Sequence, residues 1–328
     1  MIKWGQRGHD VLLAALLLAL SPTLSGCSGD DEAEDAPAAR IPIHFSANIG
    51  GGEDDEATSR VTMDGTGTAW AGGEHVRIQL DDKASLQYTV GSDKSSLSQT
   101  TAGAANVYYW YPVPASHDYA MKAWSFGNTT DPGTTVPSSF SIATDQNGTN
   151  TELLYAHQTI SYGGTPTSKT AITFYHQLAQ IIVKVTYKEA YNATSTPWSK
   201  VASITYGSSS SKLPLSGTYV APTSGNYGSW TKSTTDMGVI TPKTTTATAG
   251  AEVYSAVIIP GSYAAGQVLF AITLSDNKSS TFLYALPSAT TFNAGSSYTY
   301  NVTVDDVKIR FTGITVNNWA SASGTINL

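Results

Sequence analysis

Ile41-Pro-Ile-His-Phe-Ser-Ala-Asn-Ile49 alternates apolar and polar residues without a break. Ile41, Ile43, Phe45, Ala47 and Ile49 fall on one face, and Pro42, His44, Ser46 and Asn48 on the other. A period of two over nine residues is the mark of a half-buried strand. Pro42 has no backbone donor, which predicts a place at the edge of a sheet. The same period returns downstream, predicting strands over 75–80, 86–90, 107–111, 201–206, 253–259, 268–274, 281–286, 297–304 and 308–316. Residues 152–156 read as a short strand or a turn of helix. No stretch of twelve or more residues keeps a helical period, and charged residues make up only 13% of the chain. The fold class is therefore all-β.

Within 171–187 the apolar parity changes. Ile172, Phe174, His176 and Leu178 share one face, whereas Ile181, Val183, Val185 and Tyr187 share the other. Such a switch predicts a bulge or corner between Leu178 and Ile181. A polar Gly- and Pro-containing break over 161–169 suggests a boundary. Two β-sandwich domains in tandem are expected, 41–165 and 166–328. The Ser/Thr-rich pieces 208–211 and 241–248 read as loops.

The residues before Ile41 are of a different kind. Lys3 and Arg7 precede ten apolar residues, 11–20, and then comes Leu24-Ser-Gly-Cys27. Ten residues rise only about 15 Å as a helix, half of a bilayer core, so residues 1–26 read as a signal peptide. Leu-Ser-Gly-Cys looks like a bacterial lipobox, which makes Cys27 the expected lipidation site. Cys27 is the chain's one cysteine, so no intramolecular disulfide is available and stability rests on core burial. Residues 27–40 form an acidic lipidated tether, whose Ser28-Gly-Asp-Asp-Glu32 resembles export signals of surface-displayed lipoproteins. After the signal peptide, nine acids (Asp30, Asp31, Glu32, Glu34, Asp35, Glu53, Asp54, Asp55, Glu56) precede Val61, against Arg40 and Arg60. Beyond Val61 the charges nearly cancel. No basic stripe exists to neutralise phosphates, which excludes nucleic acid as a partner.

A search for chemistry returns little. His44, His75, His117, His157 and His176 show no metal-ligand spacing, and His176 lies on an apolar face as a core histidine would. No thiolate is available for structural zinc. There is no Gly-x-Ser-x-Gly elbow and no phosphate-binding glycine loop. Glu53-Asp-Asp-Glu56 reads as hydrated loop charge rather than a calcium site. No catalytic residue and no cofactor is expected. Trp110, Trp124 and the Tyr108-Tyr-Trp-Tyr111 run suit core packing, but exposed aromatics would also suit a monomeric outer-membrane lipoprotein that binds glycans.

Several pieces, taken in order, resemble the fimbrillin family of lipoprotein-derived fimbrial subunits. They are the lipobox, Ile43-His-Phe-Ser-Ala47, Arg60 after a short loop, Trp70-Ala-Gly-Gly-Glu-His-Val-Arg-Ile78 and Tyr109-Trp-Tyr-Pro112. Glu152-Leu-Leu-Tyr-Ala156, Ile172-Thr-Phe-Tyr-His-Gln-Leu178, Gly295-Ser-Ser-Tyr-Thr-Tyr300 and Ile314-Thr-Val-Asn-Asn-Trp319 follow. Family members often carry Gly-Asp where this chain has Gly73-Glu74. The resemblance implies two transthyretin-like sandwich domains, delivery to the outer membrane and display at the cell surface in a fimbrium. It also implies that an Arg-specific protease removes the first strand and that a strand from the next subunit fills the groove.

Carried onto this chain, proteolytic processing falls at Arg60, since a cut after Arg40 would remove only tether. The displaced strand is Ile41, Ile43, Phe45, Ala47 and Ile49. The donor candidate is the C-terminal row Ala320, Ala322, Gly324, Ile326 and Leu328, smaller than the row it would replace. That segment also suits a final strand of its own sandwich. The implied partners are other fimbrial subunits, outer-membrane lipid through acylated Cys27, and a host or bacterial surface receptor. Stalk, tip and anchor roles stay open.

Overall fold

In the computed structural model, residues 41–50, 70–100, 107–110, 118–148, 152–165, 167–187, 200–246, 251–275, 280–305, 308–319 and 325–326 are described. Every regular element among them is a strand. The all-β expectation holds. The described residues fall in one compact unit, Arg40–Leu328, that contains two separate buried clusters.

Seven strands enclose the first cluster. Their order is Lys169–His176, His44–Ile49, Ser96–Gln99, Leu86–Val90, His75–Leu80, Tyr119–Ser125 and Leu154–Ile160, and the last pairs with Lys169–His176 to close the ring. Local turn chemistry fixes two of the hairpins. Asp81 takes a positive φ of 48° after His75–Leu80, a conformation that Asp tolerates better than most residues. In the next turn the Asp93 carboxylate accepts the N–H groups of Ser95 (3.1 Å) and Ser96 (2.8 Å), which sets the start of Ser96–Gln99. Tyr119–Ser125, which the sequence reading passed over, puts Tyr119, Met121 and Ala123 into this cluster by ordinary alternation.

The edge position predicted from Pro42 is corrected. Ile41–Pro42 pairs with Tyr109–Trp110 in a small ladder of its own. The strand proper starts at His44 and has partners on both sides, parallel Lys169–His176 and antiparallel Ser96–Gln99. The proline's missing donor is accommodated because it lies before the ring begins.

The second cluster lies between two sheets. One has six strands in the order Lys243–Thr246, Glu252–Ile258, Ala179–Tyr187, Ser296–Asp305, Lys308–Asn318 and Thr325–Ile326. The other has Val201–Tyr206, Val268–Leu274 and Thr281–Ala285. Their inner faces meet, for example where the Phe270 and Tyr300 rings lie edge to face at 5.4 Å. Part of the 241–248 segment, read as loop, is the strand Lys243–Thr246 on the edge of the larger sheet. Threonines there carry a strand as well as they would a loop.

The predicted corner is present. The chain leaves the ring after His176 and enters the six-stranded sheet at Ala179. Ile172 and Phe174 belong to the first cluster, and Ile181, Val183 and Val185 to the second. The change of core therefore falls at Gln177-Leu178, later than the polar break at 161–169. The parity switch marked it; the loop composition did not.

Candidate functional site

The strand His44–Ile49 is the centre of interest because it is built into the ring by both edges and one face. Six residue pairs join it to Lys169–Phe174, from His44 opposite Lys169 to Ile49 opposite Phe174. On its other side Phe45 and Ser46 face Leu97 and Ser96, and the Ala47 N–H donates to Ser95 O at 2.8 Å. Ile43, Phe45, Ala47 and Ile49 are buried, and Ile41 is half-buried. The Phe45 ring meets Tyr88 edge to face at 5.5 Å. At the exit, Gly50 N–H donates to Phe174 O at 2.7 Å, so close to the neighbouring strand that a Cβ there would come within 2.4 Å of Thr173 Cγ2. A side chain at this point would have to push aside the Thr173 methyl and the Tyr175 ring.

Burying Ile43, Phe45 and Ile49 is worth about 1.5–3 kcal/mol each, roughly 5–9 kcal/mol together. A whole domain is stable by about 5–15 kcal/mol. Loss of this strand would therefore remove a quantity comparable to the stability of the ring, besides a ladder of hydrogen bonds.

The other expected site residues divide by location. Cys27, Arg40, Arg60 and Glu53-Asp54-Asp55-Glu56 lie outside the described residues, as do Ala320, Ala322, Gly324 and Leu328. Ile326 lies in the short strand Thr325–Ile326, which pairs antiparallel with the chain's own Lys308–Asn318: Thr325 faces Thr315 and Ile326 faces Ile314.

The two tryptophans named for glycan binding are both buried. Trp124 is fully buried and donates from Nε1 to Gly133 O at 3.2 Å. Trp110 is buried between Tyr119 and Tyr162, at ring distances of 5.9 and 5.7 Å. Trp110 belongs to the first cluster, whereas Trp124 has the opposite parity to Tyr119, Met121 and Ala123 and is buried on the outer side of its strand, against the segment at Gly133. Among the described residues no cluster of three or more His, Cys, Asp or Glu is placed to hold a metal ion.

The short motifs scattered along the sequence converge at one place, the joint between the two cores. Glu152 Oε2 lies 3.2 Å from His176 Nδ1, and both side chains are buried. The His176 ring stacks on Trp319, with centroids 4.2 Å apart and planes 4° from parallel. Trp319 N–H donates to Gly295 O (2.7 Å), and Gly295 N–H donates to Leu178 O (2.9 Å). Gln177, which the sequence reading did not single out, is a hub. Its Oε1 accepts from Tyr219 Oη and Gly228 N, its Nε2 donates to Tyr175 O and Asn226 O, and its carbonyl accepts from Trp230 Nε1. A buried glutamine must find partners for each of these groups. The one signal available was its place at the parity switch. Trp319 thus pins the end of the second core to the rim of the first.

A family model described as fimbrillin-like matches residues 59–319, most of the chain and nearly all of the architecture above. The chain belongs to the fimbrillin-like family. No curated protein matches the sequence. Among solved structures, a candidate cell adhesion protein from Bacteroides uniformis ATCC 8492 shares the fold at 19% identity and a TM-score of 0.56, over 85% of this chain and 98% of that one. A candidate cell adhesion protein from Bacteroides ovatus ATCC 8483 does so at 16% identity and a TM-score of 0.57, over 87% of this chain and 100% of that one. The fimbrillin-like protein is a structural, non-enzymatic component of cell-surface fimbriae, and its partners are other fimbrial subunits.

Proposed function

We propose that this fimbrillin-like protein polymerises by strand exchange. In this reading it reaches the outer membrane as a lipoprotein acylated at Cys27. Cleavage after Arg60 then releases residues 27–60 with the first strand, and the groove left in the ring accepts the C-terminal row of a neighbouring subunit. The polymer would support adhesion through a surface receptor. One observation carries the reading: His44–Ile49 is an interior strand of the ring, yet the family match begins at residue 59, after it. A strand that is central to the fold but outside the family's common body is suited to removal.

Physical chemistry supports the same scheme. Without the strand, the ring would present two open edges and an apolar trough lined by residues such as Tyr88, Ile172 and Phe174. Open edges and apolar surface together drive strand addition. The incoming row is less bulky, since Ile326 and Leu328 are its only large members. It would recover about 3–6 kcal/mol of the side-chain burial, the remainder coming from the restored ladder.

The test is processing of the displayed protein by an Arg-specific protease, followed by N-terminal sequencing and electrophoresis without heating. A new terminus at Val61 with a heat-sensitive oligomer ladder is expected, and Arg60→Ala should abolish both. A terminus that stays at Cys27, or a ladder unchanged in Arg60→Ala, would overturn the reading.

A further inference from the structure

A sheet edge without a partner invites another strand, and proteins blunt such edges with charges, short lengths or covering segments. Among the described edge strands of four residues or more, Ser229–Lys232 and Lys243–Thr246 each carry a lysine. Val201–Tyr206 is engaged at both ends. Tyr206 exchanges two backbone bonds with Ile240 (2.8 and 2.9 Å), and the Val201 N–H donates to Tyr187 Oη at 3.1 Å. Thr281–Ala285, the last strand of the smaller sheet, carries no charge and has no strand beside its outer edge among the described residues. Its sheet-mates Val201–Tyr206 and Val268–Leu274 carry no charged residue either, in a chain of formal charge −7.

At its centre the backbone of this strand faces outward. Leu274 N–H donates to Ser280 O at 2.9 Å, so the bonded pairs of this antiparallel ladder include Phe282 and Tyr284, which turn their backbone groups to Val268–Leu274. The donor and acceptor of Leu283 therefore point to the open edge. Its side chain lies on the outer face of the sheet and is 54% exposed. On the inner face the half-buried Tyr284 ring meets Phe311 at 4.7 Å, and Phe311 is itself 45% exposed. Two exposed large apolar side chains thus meet at one uncharged edge.

We propose that this edge pairs with the same edge of a second copy of the chain, antiparallel about a two-fold axis at Leu283. The segment Thr281-Phe-Leu-Tyr-Ala285 is self-complementary in that arrangement. The two Leu283 residues exchange both backbone bonds, and each Phe282 lies opposite Tyr284 of the other copy, which adds two aromatic cross-strand pairs. Charge favours this meeting place. The net negative charge of two copies opposes their approach, and along this sheet no charge is buried when they touch. A pairing of five-residue strands falls short of the roughly 1,000 Å² that a stable interface buries, so two free copies associate weakly. Copies arrayed along neighbouring fimbriae repeat the contact, and repetition multiplies its strength. That reinforcement rests on the polymerising reading above; the pairing of two copies does not.

The test uses the full chain, uncleaved at Arg60, in a Cys27→Ser background, so that Leu283→Cys supplies its one thiol. A bonded antiparallel pair has Cα atoms about 5.5 Å apart, within disulfide range. Under mild oxidation Leu283→Cys should link two copies about tenfold faster than Val220→Cys, an equally exposed position on Ser216–Val220, because pairing raises the local thiol concentration. Sedimentation over a concentration series should show weak dimers of the Cys27→Ser chain, and Leu283→Lys should remove them while the far-ultraviolet circular dichroism stays the same. Equal linking rates, a chain that stays monomeric throughout, or dimers indifferent to Leu283→Lys would each overturn the proposal. Association that appears only after cleavage at Arg60 would belong to the groove, overturning the edge pairing and leaving strand exchange standing. Dimers of the uncleaved chain without a heat-sensitive ladder after cleavage would uphold the edge and overturn strand exchange instead.

Discussion

The first and the last strand of this chain are held in opposite ways. His44–Ile49 is paired along both edges, with six partners on one side, and gives its apolar row to a closed ring. Thr325–Ile326 is held along one edge by two pairs. On the proposed strand-exchange reading, one strand needs proteolysis to leave while the other opens locally. A strand bound on both sides and buried opens only with its domain, whereas an edge strand opens locally at small cost.

That contrast can be broken by measurement. Phe45→Ala should cost about 3–5 kcal/mol, as expected for a buried aromatic that leaves a cavity, whereas deletion of residues 320–328 should cost under about 1 kcal/mol. Urea unfolding of the two variants checks this, and similar losses from both would mean that the tail is integral to the second core. Next in size is Trp319→Ala, which removes the buried stack on His176 and should cost about 3 kcal/mol. Hydrogen exchange sharpens that result. Protection should fall at Glu152, His176 and Gly295 together, because Trp319 links them, and a fall confined to the C-terminus would contradict the joint described above.

The smallest effect belongs to Asp93, in the turn beside the first strand. Hydrogen bonds from the Ser96 N–H, the Ser96 hydroxyl and the Ser95 N–H hold its carboxyl at about 2 instead of the usual 3.8. A carboxyl depressed in the folded state stabilises above its unfolded value, and this contribution fades as the pH falls towards 2. Asp93→Ala should therefore lower the melting temperature slightly at pH 7 and less as the pH approaches 2. A difference that grows on acidification would contradict this.

How far the sequence reached depends on the element. Alternation at 75–80, 86–90, 201–206 and 268–274 gave those strands to the residue, since a strand's facing follows from residue order alone. Tyr119–Ser125 was passed over because small Ala120 and Ala123 and the run of buried residues 123–125 dilute its pattern, although Tyr119, Met121 and Ala123 alternate into the first cluster. The four scattered motifs that meet at the joint were visible as resemblance to a family. Their meeting was not visible, since Glu152, His176, Gly295 and Trp319 are brought together by the path of the chain between them.

Residue order, through the two-residue period, was enough to give the all-β class, the apolar row Ile41 to Ile49 and the corner before Ile181. Only the folded chain decided that the row sits inside a ring, that Trp110 and Trp124 are buried, and that Ile326 lies opposite Ile314. The reason is physical. Which face of a strand is apolar is written in its side chains, but every backbone offers nearly the same donors and acceptors. The choice of neighbour is left to how whole faces fill space against one another.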